Sequence, residues 1–216
     1  MNSYPNILDM INSTIKHCSK AGERGRPREF DIDTALDRAI LYFREHGYNG
    51  VSISDLSKAL QLSAGSIYKA FFSKHALFSA ALDRYMMLRG QRISEIIGSN
   101  SSGREKLRSL LVFYAESSHA SEGKYGCLVV LSAVELSCTD ESIASKVTAA
   151  LNGNESRLVR IIQEGQVDGS IVQTIDPEVT AKLMLALVQG MRVLGKIGQE
   201  REAMMAVINT AMKILD

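Results

Sequence analysis

Apolar residues recur every three or four positions along most of this chain, the period of helices with one buried face. Asp31 or Asp33 can cap a helix in which Leu36, Ala39, Ile40 and Phe43 form the inner stripe, and Gly47 stands where that helix should end. Ser52 can cap a shorter helix carrying Ile53, Leu56 and Leu60. After a break at Gln61–Leu62, Ser63 can cap another with Ile67 and Phe71 inward, and Ser73 opens a fourth. Helices under about a dozen residues are marginal alone in water, so these short ones need a shared core. Their outer surface offers Ser63, Gly65, Ser66, Lys69 and Lys74, with Tyr68 in reach. Small, polar and cationic groups of this kind suit a helix entering a major groove, where hydroxyls and amines meet phosphates and base edges.

The helix opened by Ser73 is long and changes character halfway. Ala76, Leu77 and Ala80 face the preceding helices, whereas Tyr85, Leu88, Ile93 and Ile97 face something else. A helix belonging to two cores is a rigid lever, so the domain boundary is placed inside it, near Ala81–Arg84. GSNSSG at 98–103 reads as a loop. Beyond it come a helix with Leu107, Leu110, Leu111 and Tyr114 inward, a break at Gly123–Gly126, and the run CLVVLSAVEL. Val129 and Val130 leave a strand open there, and the all-helical neighbourhood decides for a helix. Asp140 caps a further helix to about Gly165, with a bend or short loop expected near 151–154 because Gly153 interrupts it. Asp176–Pro177 starts the next, as N-cap and first-turn proline, and the last runs from Glu200 to Leu215. The two terminal helices carry more apolar surface than a small monomer needs to hide. A thick internal core would absorb it. The favoured expectation pairs them with the same helices of a second copy through Leu183, Leu187, Met191, Leu194, Met204, Ile208 and Met212.

At the other end, Ile7, Leu8, Ile11 and Ile15 have helical spacing, compatible with a short amphipathic helix or a loosely held tail. AGERGRPREF at 21–30 is an arm: Gly22 and Gly25 disfavour regular structure and Pro27 pushes Arg26 toward an extended backbone. A solvated linker would look the same. Set ahead of paired short helices, an arginine arm can lie in a minor groove or along the backbone.

Composition narrows the class. The 216 residues are 45% hydrophobic with three prolines, and Leu, Ala, Ile, Met, Glu and Lys abound, which favours an all-α fold. Net charge is +1 and says nothing of nucleic acid, but Lys16, Lys20, Arg24, Arg26 and Arg28 cluster ahead of the helix pair. No apolar run approaches the ~18 residues of a membrane span, and the N-terminus does not read as a secretory signal, so a cytoplasmic location without membrane partners is expected. Cys18, Cys127 and Cys138 form no CxxC pair, against a disulfide framework or a structural metal site. The four histidines are scattered, and no HExxH, GxSxG or phosphate-loop pattern appears. Neither an enzyme nor a cofactor is expected.

The segment GRPREFDIDTALDRAILYFREHGYNGVSISDLSKALQLSAGSIYKAFFSKHALFSAAL resembles the N-terminal DNA-binding domain of the TetR family of bacterial transcriptional regulators. The matching pieces are the GRPR arm, Gly47–Tyr48, Ser52–Ile53, Leu62–Ser63, GSIY and FFSKHAL. YGCLVVLSAVELS is similar to the GCLL-type helix of one subset. Two departures stand out: Gln61 where the family usually has glycine, and Ala70 where His or another polar residue is common. The resemblance implies residues 1–25 as an N-terminal extension, partly flexible, 26–82 as a helix-turn-helix domain, and 83–216 as a helical effector-binding and dimerisation domain. It implies Tyr68 and Lys74 on phosphates, with Ser63, Ala64, Gly65 and Lys69 nearest the base edges and Ser66 among them. Ser52 would touch the backbone, and Arg26 and Arg28 would serve the arm.

The expected protein is thus a homodimeric repressor on a palindromic double-stranded operator, released when a small-molecule effector binds the second domain. Effector candidates are Tyr85, Leu88, Phe113, Tyr114, Cys127, Leu131 and Glu135, all able to serve as plain core. An activator of the same fold, or a helical interaction adaptor without specific DNA binding, are the alternatives.

Overall fold

In a computed structural model the described residues are 7–18, 31–98 and 102–216, so Arg26 and Arg28 lie outside them. Among the described residues the regular structure is helical, with no strand. The chain divides into two compact units, Met1–Leu88 and Arg89–Asp216.

The first unit holds α1 (Ile7–Cys18), α2 (Ile32–His46), α3 (Ile53–Leu60), α4 (Ala64–Phe71) and the first part of α5 (Lys74–Gly98). Its starts are fixed by side chains. Asp31, not Asp33, caps α2, accepting from the Asp33 N–H at 3.0 Å. Ser52 and Asp55 exchange hydrogen bonds as a capping box on α3, Ser63 accepts from the Ser66 N–H on α4, and Ser73 accepts from Ala76 on α5. Ile40, Phe43, Leu56, Ile67, Leu77 and Phe78 are fully buried together, with Phe78 edge-on to Phe43 at 4.9 Å between ring centres. Ile11 of α1 is also buried, and α1 packs on α2.

The buried Asp37 of this unit is paired. Asp37 takes a two-pronged bond from Arg84, at 2.7 and 2.9 Å, and Arg84 reaches Asp33 at 3.0 Å. Burial raises the Asp37 carboxyl, and Arg84 offsets only part of that rise. The Arg44 guanidinium stands 5.4 Å from the centre of the Tyr85 ring.

The second unit holds α6 (Gly103–Glu116), α7 (Ala120–Tyr125), α8 (Leu128–Glu135), α9 (Glu141–Val167), α10 (Pro177–Lys196) and α11 (Arg201–Met212), ending in a 3₁₀ turn at Lys213–Leu215. Helices α6, α9, α10 and α11 enclose Leu107, Leu111, Ile162, Met184 and Ile208. Two backbone approaches set this packing. A Cβ on Gly103 would stand 2.2 Å from the Gly165 nitrogen, and one on Gly195 would stand 1.9 Å from the Ser118 carbonyl oxygen. Asp168 accepts from the Gly103 N–H at 2.7 Å, fixing the start of α6 against the end of α9. Buried Arg192 of α10 donates to the carbonyls of Ser117 and Gly126, tying the segments on both sides of α7 to α10.

Several expectations change. Helix α9 runs unbroken through Gly153, which is exposed with nothing beside it; one glycine costs a long helix only about 1 kcal/mol. Helix α7, Ala120–Tyr125, runs into the break expected at Gly123–Gly126. Met191, Met204, Ile208 and Met212, expected at an interface between copies, are each 5% exposed or less, because the four-helix core of one chain takes that side of α10 and α11. Tyr85 is not in the second unit's interior; it is fully buried in the first unit, beside Arg44.

Candidate nucleic-acid interface

Helix α4 is held by its inner face alone. Ile67 is fully buried and Phe71 nearly so, whereas Ala64, Gly65, Tyr68 and Lys69 are exposed. With about 100° per residue, positions 64, 65, 68 and 69 share one outward arc. The N-terminal turn is organised before any partner arrives. Ser63 Oγ accepts from the Ser66 N–H at 3.1 Å and lies 2.9 Å from Ser66 Oγ, so both hydroxyls sit where the free N–H groups of the helix start are concentrated. A short polar start, a central Tyr68–Lys69 pair and no side-chain bulk at Gly65 leave a profile able to approach base edges closely.

Ser52 and Lys74 are placed differently from what phosphate contact alone requires. Ser52 is exposed, but its hydroxyl donates to Asp55 Oδ2 at 2.6 Å and accepts from the Asp55 N–H. Those hydrogen bonds hold the Asp55 carboxyl below its usual value. The Lys74 ammonium donates to the carbonyls of Tyr48 and Val51 at 3.0 and 2.8 Å and stands 4.1 Å from the centre of the Tyr48 ring. An ammonium has three donors, so one remains for another acceptor. Lys74 therefore pins the Tyr48–Val51 turn to the start of α5, a role that helical spacing cannot reveal.

The turn between α3 and α4 resolves the Gln61 departure. Gln61 adopts the left-handed conformation at φ 57°, ψ 41°. Its side-chain oxygen accepts from Arg38 Nη1 at 3.1 Å, and the same nitrogen donates to the Leu60 carbonyl at 2.9 Å. A tether from α2 thus offsets part of the strain that glycine would avoid. Phe72, which sequence reading passed over, is 82% exposed directly after α4. A large apolar residue beside the Ser-Lys that opens α5 was its one available signal.

In the second unit, Phe113 and Tyr114 are buried edge to face at 5.6 Å, with the Arg89 guanidinium 5.2 and 4.9 Å from their ring centres. The crevice beside Tyr114, bounded by Leu110, Arg157 and Leu185, measures about 10 Å³, room for about one water. Cys127 precedes α8 and is half-buried, as are Leu131 and Glu135 within it, while Leu88 is half-buried in the first unit.

Among the described residues, exposed apolar side chains concentrate on α10, α11 and the turns that follow them. Leu183, Leu187, Val207, Thr210, Ala211 and Ile214 line an open groove of roughly 430 Å³, and Val179, Leu194 and Ile197 are exposed along α10. Among the described residues no group of His, Cys, Asp and Glu is placed to hold a metal ion, and no helix is long and apolar enough to cross a membrane.

Comparisons with known proteins agree with this division. Residues 35–81 match the family model described as bacterial regulatory proteins, tetR family. Residues 103–211 match tetracyclin repressor-like, C-terminal domain. The HTH-type transcriptional repressor ComR of Escherichia coli K12 is 28% identical over 192 residues, 88% of this chain and 91% of ComR. The HTH-type transcriptional repressor DhaR of Mycobacterium sp. strain GP1 is 27% identical over 77% of this chain and 83% of its own length. Among solved structures, a cysteine mutant of the TetR family transcriptional regulator CifR, complexed with 26-bp double-strand operator DNA, superposes with a TM-score of 0.80. It is 31% identical and covers 89% of this chain and 100% of that one.

Proposed function

Since this chain belongs to the TetR family of bacterial transcriptional regulators, we propose that it is a repressor that reads a palindromic operator as a homodimer and releases it on binding a small molecule. The observation that carries the reading is the outward arc of α4, capped and held by its inner face so that Tyr68, Lys69 and the Ser63–Ser66 turn are offered together. ComR and DhaR are named repressors, and CifR is held on operator DNA, which supports the same activity for a chain with the same two modules. Such a protein works in the cytoplasm, beside the chromosome.

The apolar groove of α10 and α11 supplies the dimer face, with Leu183, Leu187 and Leu194 from the sequence reading joined by Val207 and Ile214. Two copies related by a twofold axis would pair these helices as a four-helix interface. They would then set two α4 helices on major-groove faces about 34–36 Å apart. The effector acts through α5, one continuous helix of 25 residues that enters both units. An effector that prefers the second unit in a form with displaced α5 changes the spacing of the two α4 helices. A molecule binding both forms equally would release nothing. Phe113, Tyr114, Cys127, Leu131 and Glu135 are the contacts offered to it.

Selection of duplexes from a random library by the full-length protein tests this. The expected product is an inverted repeat whose half-sites lie one helical turn apart. Leu183→Asp is expected to yield monomers that lose the selected duplex. Recovery of no preferred sequence, or a Leu183→Asp variant that dimerises and binds as before, overturns the reading.

A further inference from the structure

Phe72 is 82% exposed, the largest exposure of any bulky apolar side chain among the described residues of the first unit. It also stands at φ 63°, ψ −32°, a positive-φ backbone outside the left-handed helical region that a bulky residue adopts at a cost. Gln61, the other such residue in this unit, offsets its strain through Arg38. Phe72 has no comparable return, since its ring contributes little to the core. Glycine would relieve the strain there and remove the apolar exposure as well.

Its position is specific. The Phe72 N–H closes the last turn of α4 on the Tyr68 carbonyl at 2.9 Å, so Phe72 follows the exposed positions 64, 65, 68 and 69 at helical spacing. Tyr68, four residues earlier, is 49% exposed. The N-terminal end of a groove-entering helix meets base edges, and its C-terminal end lies nearer the sugar–phosphate rim. Lys74, two residues further on, marks the same rim. A phenyl ring has no hydrogen bond to give a phosphate, but the C–H face of deoxyribose accepts apolar contact.

We propose that Phe72 is a DNA contact whose ring packs on backbone deoxyribose beside Tyr68, giving the reading helix a grip independent of both salt and sequence. The proposal rests on the reading of α4 as the groove-entering helix. It assigns the exposed, positive-φ Phe72 a partner that is present only when DNA is bound, and it extends the α4 interface beyond its hydrogen-bonding and cationic groups.

Fluorescence anisotropy of the full-length protein tests it, using the duplex recovered by selection and a scrambled duplex at several salt concentrations. Phe72→Ala is expected to weaken both complexes roughly tenfold, the loss of one well-buried apolar side chain. The slope of log Kd against log salt should stay unchanged. Phe72→Lys, which places a cation at the same rim, should steepen that slope by about 1. Both side chains leave the core untouched, and thermal unfolding at the wild-type temperature verifies this. Unchanged affinity for Phe72→Ala together with an unchanged slope for Phe72→Lys overturns the proposal. So does a loss confined to the selected duplex and abolished when its thymines are replaced by uracil, which would make Phe72 a reader of base methyls. Altered self-association with DNA affinity per dimer intact assigns Phe72 to a protein contact and also overturns it. Failure of the wild-type protein to bind either duplex sinks the DNA-reading function itself, a result distinct from all of these.

Discussion

In the first unit, α2, α3, α4 and α5 begin at Asp31, Ser52, Ser63 and Ser73, each accepting a backbone N–H at the helix start. In the second, Ser102, Asp140 and Asp176 cap α6, α9 and α10 in the same way, but α7, α8 and α11 begin at His119, Cys127 and Glu200 with no side-chain cap. Their ends are located by what packs on them. Gly195 lies on the Ser118 backbone, and Arg192 reaches the carbonyls of Ser117 and Gly126. Local signals thus define the head residue by residue, whereas α10 defines the region around α7 from a distance. A head specified locally can keep its outward surface independently of the rest of the chain, and a region organised by one helix can shift when that helix shifts.

The sharpest way to break this contrast is Gly195→Ala. The added methyl meets the Ser118 carbonyl oxygen at 1.9 Å, where only backbone movement can make room. A loss of about 3 kcal/mol, the upper range for overpacking, is expected in urea unfolding of the full chain. A loss under about 0.5 kcal/mol would mean that α10 does not set this region. In the head, Lys74→Met keeps the apolar stem and removes the hydrogen bonds to Tyr48 and Val51. Two charge-assisted bonds at a half-buried site imply a loss of about 1.5 kcal/mol, read the same way.

Acid probes the second unit. Burial raises the Glu116 carboxyl, but hydrogen bonds from Arg201 and His119 outweigh it and leave the group below its ordinary 4.5. A depressed carboxyl stabilises the fold above its unfolded value, and that contribution disappears as pH falls through the folded value. The wild type should therefore lose more stability than Glu116→Gln between pH 5 and about pH 3, by urea midpoints, and equal losses would contradict the pairing. The smallest effect belongs to Gln61→Gly. Relief of left-handed strain and loss of the Arg38 bond oppose each other, so stability should move by less than about 1 kcal/mol, and a larger fall would assign more weight to the tether.

This contrast also explains what could be read from the sequence. Serine and aspartate caps, the Gly47 stop and Asp176–Pro177 are local features, and the helices they mark are present. On α4, the inward Ile67 and Phe71 were separable from the outward Tyr68 and Lys69 by period alone. What escaped depends on neighbours distant in sequence. Helical period gives a direction but not which side of α10 and α11 meets the chain's own core, and Met191, Met204, Ile208 and Met212 lie on the side that does. Tyr85 lies where α5 still belongs to the first unit, since the division falls between Leu88 and Arg89. The double tether of Lys74 joins residues more than twenty positions apart, which no periodic pattern encodes.

The central claim is that the outward arc of α4 distinguishes one DNA sequence from another. It is tested most directly by the ratio of Kd values for the scrambled and selected duplexes, compared between wild type and the double variant Tyr68→Ala, Lys69→Ala. A large ratio is expected for the wild type, falling to near 1 in the variant, with the urea midpoint unchanged because both side chains are exposed. A variant that keeps the wild-type ratio would contradict the claim.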